Sequence, residues 1–217
     1  MLCHEKKCSH YVLTRAILFS YIFLDLLKEV MEKCPPTIEQ RDDSGWTPLH
    51  IAAHMGNEEF VKLLLEKDNS LACLRNKEGL SALHIAAKKC NNGVMDKLMT
   101  ACPDIYELLD NKGRNVLHAA AESKMWAAFS FFDGRPEFEG LINERDEEGN
   151  TPSNLAAING HISMAQSLGE HRDVLNATNK EGFTIMDNVL STRKLHTRTA
   201  VCPFRLALLN AIQPHNL

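Results

Sequence analysis

Residues 45–56 read GWTPLHIAAHMG, and they place two histidines, a tryptophan and a hydroxyl within a dozen positions. These side chains are the raw material of general-base catalysis or zinc ligation, because a neutral imidazole can accept a proton or give a lone pair to a metal. A second cluster, CHEKKCSH, sets Cys3, His4, Cys8 and His10 near the start of the chain. Its spacing matches none of the common paired-ligand patterns, and four ligands so close in sequence would need a strained loop. A tail is expected there rather than a zinc site. The chain carries no Gly-x-Ser-x-Gly, no Gly-x-x-x-x-Gly-Lys and no His-Glu-x-x-His, the spacings that serve an activated serine, a phosphate cradle and a catalytic zinc. The carboxylates of NERDEEGN, residues 143–150, read as a solvated edge rather than an acid–base pair.

Whether His50 does chemistry depends on recurrence. GLSALHIAA follows at 79–87, GRNVLHAAA at 113–121, GNTPSNLAA at 149–157 and a faded GFTIMDNVL at 182–190. The leading glycines, Gly45, Gly79, Gly113, Gly149 and Gly182, are separated by 34, 34, 36 and 33 residues. A period near 33 marks stacked repeats. The slot of His50 is filled by His84 and His118, then by Asn154 and Asp187. Adjacent helices pack about 8–10 Å apart, whereas zinc–nitrogen bonds are about 2 Å, so successive histidines in such a row cannot share one metal. A structural ring is expected, hydrogen-bonded to the backbone of a neighbouring loop. No catalytic residue, cofactor site or metal site is assigned, and the chain is read as not an enzyme.

Each repeat must position that slot with the same few devices. Thr47, Ser81, Asn115, Thr151 and Thr184 precede the short first helices as N-caps, accepting from an otherwise orphaned backbone N–H. Pro48 fits the first helical position, where its missing N–H costs nothing. Alanine pairs such as Ala52-Ala53 and Ala86-Ala87 let neighbouring helices approach, and Gly56 and Gly160 suit the turn that ends the first helix. NEEFVKLLLEK, 57–67, forms a second helix with Phe60, Val61, Leu63, Leu64 and Leu65 on a broad apolar face. A loop then returns to a tight turn such as Asp43-Ser44-Gly45 or Lys77-Glu78-Gly79.

This pattern resembles the ankyrin repeat, and the likeness covers about residues 40–190, most clearly in the first three motifs. It implies an all-α ankyrin-repeat solenoid of helix-turn-helix pairs with β-turn fingers. Shifting by 34 residues lays FLDLLKEVMEK, 23–33, beside 57–67, so the apolar stretch at 11–27 is read as an incomplete preceding repeat. The uncharged part of that stretch, Ala16–Leu24, is too short for a membrane span. The expected organisation is a tail at 1–12, an array at 13–190 whose last unit is degenerate, and a basic tail at 191–217 with a short amphipathic helix at 203–212. That helix either caps the last repeat or rests on an anionic membrane.

Composition fits a folded array. The 217 residues are 44% hydrophobic and 24% charged. Lys plus Arg is 24 and Asp plus Glu 28, a net charge of −4 that gives no pull toward nucleic acid. Seven scattered cysteines, with no Cys-x-x-Cys, suit a reducing compartment, so a cytoplasmic location is expected.

The ankyrin resemblance implies that partners are other proteins, bound by finger tips and first helices. The matching positions of the first repeat are Asp43, Ser44, Trp46, His54 and Met55. The second offers Lys77, Glu78, Leu80, Lys88 and Lys89, and the third Asn111, Lys112, Arg114, Glu122 and Ser123. The fourth offers Glu147, Glu148, Asn150, Ile158 and Asn159. The strip reads as basic in its middle and acidic at its C-terminal end. Trp46 is either the anchor of the partner, since aromatics dominate interface hot spots, or packed against its own neighbouring finger.

The stretches at 92–123 and at 141–152, with the aromatic insertion MWAAFSFFDGRPEFEGLIN between Met125 and Asn143, further resemble plant ankyrin proteins of the accelerated-cell-death and increased-salt-tolerance type. That resemblance implies a role in defence, cell-death or stress signalling at the cytosolic face of the plasma membrane. The family joins its repeats to a Pro-Gly-Gly domain with membrane spans, and after Leu190 this sequence has neither that motif nor an 18-residue apolar run. Peripheral membrane contact stays open, as do two rival readings: a shortened or degenerate member with no selected partner, and the cytosolic half of a membrane protein.

Overall fold

The computed structural model describes residues 24–33, 38–123, 126–169, 178–185 and 187–188. The tails at 1–12 and 191–217, with the Cys3/His4/Cys8/His10 cluster and the expected helix at 203–212, lie outside the described residues.

The helices start where the caps are. Thr47 is extended, at φ −93° and ψ 167°, and its side chain accepts from His50 N–H to open α2 (Pro48–Met55). Ser81 opens α4 (Ala82–Lys89), Asn115 opens α6 (Val116–Ala121) and Thr151 opens α8 (Pro152–Ile158) in the same way. An Asn to Ala or Thr to Ala change at such a cap costs about 1 kcal/mol. Gly56 ends α2 at φ 72°, and its N–H reaches the carbonyls of Ala52 and Ala53. The second helices are α3 (Glu58–Lys67), α5 (Asn92–Ala101), α7 (Trp126–Ser130) and α9 (Ile162–Gly169). Upstream lies α1 (Leu24–Lys33), whose Met31 is buried in the main core. Among the described residues, 3-10 turns follow the second helices: η1 (Asn69–Cys73), η2 (Pro103–Glu107) and η3 (Pro136–Leu141).

Two layers follow. First helices pack in a row, α2 on α4, α4 on α6 and α6 on α8, while α3 packs on α5 behind them. The alanines that permit this closeness, Ala52, Ala53, Ala86, Ala87, Ala120 and Ala121, are fully buried. In the second layer Phe60, Val61 and Leu64 meet Val94, Met95 and Leu98, all without exposed surface; burying a side chain of this kind stabilises the fold by about 1.5–3 kcal/mol. Leu63 sits at the half-buried edge.

The stretched period shortens α7 to five residues and gives the rest of the insertion to a turn and η3. Phe132 stands edge-on to Phe138 with ring centres 4.8 Å apart, and Phe138 edge-on to Tyr106 at 5.5 Å. The Arg135 guanidinium lies 4.0 Å over the Phe131 ring. An aromatic cluster therefore replaces most of one helix.

Candidate functional site

The fingers are built by a side chain that the spacing of the glycines did not single out. Asp42, Asn76, Asp110, Asp146 and Asn179 each stand three residues before the finger glycine. The Asp42 Oδ1 accepts from the N–H groups of Ser44 and Trp46, both at 2.8 Å. Asn76 does the same for Glu78 and Leu80, both at 2.9 Å, and the other three fingers repeat the arrangement. This is an Asx turn, in which the side chain holds the backbone reversal. Gly79 closes its turn at φ +82°, and a Cβ there would stand 2.5 Å from the Asn111 nitrogen. Both the left-handed conformation and the close approach therefore require glycine.

Successive fingers are joined backbone to backbone. Lys77 N–H donates to the Ser44 carbonyl at 3.1 Å and Asn111 N–H to Glu78 at 3.0 Å. Glu147 N–H donates to Lys112 at 2.9 Å and Lys180 N–H to Glu148 at 3.0 Å. The side chains carried by the fingers are thus mounted on a ladder rather than on separate loops.

The histidines brace that ladder. His50 Nε2 donates to the Leu80 carbonyl at 3.0 Å, while its Nδ1 lies 2.7 Å from the Thr47 hydroxyl. His84 joins Arg114 O at 3.1 Å and the Ser81 hydroxyl at 2.8 Å. A carbonyl can only accept, so Nε2 carries the proton and Nδ1 accepts from the hydroxyl. Burial pushes the pKa of both rings down to about 4. These neutral rings are engaged at both nitrogens, which leaves no lone pair for a metal or for proton transfer. His118 reaches Asn150 O at 3.0 Å, but its Nδ1 faces the Asn115 amide oxygen at 2.8 Å.

Most of the residues named from sequence come together on the face of fingers and first helices. Asp43, Ser44, Met55, Lys77, Glu78, Lys89, Asn111, Lys112, Glu147, Glu148, Ile158 and Asn159 are exposed there. Trp46 and His54 are half-buried, with ring centres 5.5 Å apart, edge to face. Trp46 therefore packs on the helix of its own repeat and not on a neighbouring finger alone. The His54 pKa is lowered by burial first and by the Lys89 charge second.

Three of the named positions are not surface. Leu80 is 6% exposed, Asn150 2% and Ser123 4%. Leu80 and Asn150 each follow a finger glycine and are covered there, Leu80 in the main core and Asn150 against Asn179. The middle of the strip is also less basic than its sequence. Glu122 bridges Lys88 and Arg114, each at 2.6 Å, and Arg114 holds the buried Asp146 at 3.2 Å. The exposed cations left are Lys77, Lys89 and Lys112.

Among the described residues no helix is long and apolar enough to cross a membrane. Residues 13–107 match the family model described as ankyrin repeats in three copies. No curated protein matches the chain. Among solved structures it is similar to a chain from the complex of Bd0816, a predatory endopeptidase from Bdellovibrio bacteriovorus, with immunity protein Bd3460. The identity is 27%, the TM-score 0.66, and the likeness covers 84% of this chain and 92% of that one. It is also similar in fold to the ankyrin repeat domain of Bcl-3, a member of the IkappaB protein family, at 19% identity and TM-score 0.72 over 93% of this chain and 86% of that one. Capped helix pairs, Asx fingers and the match over residues 13–107 agree, and the described residues have the fold of an ankyrin-repeat solenoid.

Proposed function

We propose that the chain is a non-enzymatic binding module that takes another protein on its fingers and first helices, anchored at Trp46, His54 and Met55. The observation that carries this reading is the exposure of Met55, at 44%, beside the half-buried Trp46 on a hydrogen-bonded finger ladder. An apolar centre with a charged rim of Asp43, Lys77, Glu78 and Lys89 has the layout of a hot spot, and a rigid mount keeps the ordering cost of binding low. A similar chain comes from a complex between an endopeptidase and an immunity protein, which fits a partner that is a protein.

The finer assignment rests on the resemblance of residues 92–123 and 141–152 to the plant family named above. On that reading the partner belongs to defence, cell-death or stress signalling, and the chain works in the cytoplasm or at the cytosolic face of the plasma membrane. Proximity labelling in plant cells, with the full chain and with the double variant Trp46→Ala, Met55→Ala, tests both parts. Partners lost from the double variant, with its fold intact by circular dichroism, support the anchor. An identical partner set for both forms removes it, and a set without signalling proteins removes the pathway.

A further inference from the structure

Beyond the ends of two second helices, two thiols from different repeats meet. Cys73 ends η1, and Cys102 caps α5 just before Pro103 begins η2. Their sulfurs are 3.5 Å apart. Cys73 is exposed and Cys102 half-buried. A disulfide needs about 2.0 Å, so closure asks for about 1.5 Å of movement shared between two element ends. Neither cysteine lies inside a helix whose hydrogen bonds would resist that shift, and η1 packs directly on α5, which keeps the pair together. Cys90, the other cysteine among the described residues, lies near Asn92 and has no sulfur partner.

We propose that Cys73 and Cys102 are a reversible redox modification site, oxidised by a low-molecular-weight disulfide such as oxidised glutathione to an intrachain cystine between the first two complete repeats. The exposed Cys73 thiolate attacks one sulfur of glutathione disulfide. That S–S bond breaks, one glutathione leaves as thiolate and takes up a proton, and Cys73 carries the mixed disulfide. Cys102 then gives up its proton and attacks the Cys73 sulfur, and the second glutathione leaves. Two protein thiols lose two electrons, and one glutathione disulfide becomes two glutathiones. The order follows from access: Cys73 is open to solvent, whereas burial, aided by Cys73 and Asp104, pushes the Cys102 thiol up to about 11, so Cys102 acts second, from within the pair. The cystine would close a loop over residues 73–102, which contains the second finger, α4 and α5. It ties the two repeats together at the ends of η1 and α5 and uses neither Lys77 nor Lys89.

The test uses the full chain, reduced and then exposed to oxidised glutathione, quenched in acid, alkylated, digested and weighed. The expected product is one chain with the Cys73 and Cys102 peptides joined, two hydrogens lighter, reversed by reduced glutathione. The melting temperature should rise by about 5 °C or more, as a constraint on the unfolded chain implies. Cys73→Ser and Cys102→Ser should each abolish the link and the rise, while Cys90→Ser keeps both. A persistent glutathione adduct on Cys73 without the link, a link between two chains, or a link from Cys73 to another cysteine would overturn the proposal. The masses decide this on the unsubstituted protein, whatever the stability of the variants.

Discussion

His50, His84 and His118 each tie a helix cap to the next finger, so their protonation state is a folding variable. The folded pKa of His50 and of His84 lies near 4, below the usual 6.5, because burial disfavours the charged ring. The unfolded chain therefore binds more protons through this window. The stability these rings contribute is complete above pH 6.5 and is lost as pH falls from 6.5 toward 4. Each of the two should cost about 3 kcal/mol by pH 4, from about 1.4 kcal/mol per pH unit. Urea midpoints measured from pH 7.5 downward should begin to fall near pH 6.5, above the range in which carboxylates titrate; a flat curve down to pH 5 would contradict neutral buried rings. His118 differs. Its pKa is lowered by burial, but Asp146 and Glu144 oppose the shift, and Nδ1 faces an acceptor where the other two rings face a hydroxyl. Of the three, His118 should titrate at the highest pH in an NMR titration of ring protons. In the fourth repeat the slot holds Asn154, fully buried, whose Nδ2 has no partner. The amide takes the cap bond from Thr151 at 2.6 Å but is too short to span to the next finger. Asn154→His restores a donor aimed at that finger's carbonyl, on Phe183, and should raise stability by about 0.5–1.5 kcal/mol.

At the scale of elements, what could be read in the sequence was whatever repeats with a local cause. Caps, turn glycines and the His slot were legible because one physical role has to be filled at one offset. The array of helix pairs followed from the recurring motif together with its period of 33 to 36 residues. The Asx residues were equally periodic, standing three places before each of the five finger glycines, and could have been found by the same alignment. What could not be read was direction: the position after the glycine looks like a finger tip, yet Leu80 points into the core and Phe183 is 46% exposed. What covers Leu80 is the main core, built by other elements, and not the turn's own residues. The ion bridge of Glu122 was hidden for the same reason, since its partners Lys88 and Arg114 belong to two different repeats. One element end departs from its own rule. Gly56 and Gly160 take φ 72° and 78° after their helices, but α4 ends on Cys90 at φ 61°. A side chain in the left-handed region is strained, and glycine there is relaxed. Cys90→Gly should therefore stabilise the fold by about 0.5–1 kcal/mol, read as a higher urea midpoint. The reverse holds in the fingers, where Gly79→Ala should lower stability by about 2 kcal/mol or more, through the clash with Asn111 added to the strain of its positive φ.

At the scale of the molecule, the buried apolar side chains of the described residues fall into two groups. One core runs from Met31 to Leu141, and a second joins Ala121 and Leu155 to Met164, Leu168 and Ile185. Across the junction α6 gives the second core one alanine, and the half-buried Ile142 touches both. α6 also packs on α8, and polar ties cross the junction: His118 to Asn150, Arg114 to Asp146, and the backbone bond from Glu147 to Lys112. Repeat arrays are held by intrinsic repeat stabilities and nearest-neighbour interfaces, so a junction that shares few buried apolar side chains is where they part. The fourth repeat is also the one whose His slot lacks its bond to the next finger. Residues 152–169 should therefore open as a cooperative unit at lower denaturant than residues 82–101, which have apolar neighbours on both sides. Hydrogen exchange read by mass spectrometry at rising urea resolves the two segments. Asn154→His should then slow exchange in 152–169 and leave 82–101 unchanged, because the bond it restores lies within the C-terminal core. Equal slowing in both segments would mean that the chain opens as one body, and that the polar ties couple the two cores as firmly as shared apolar packing would.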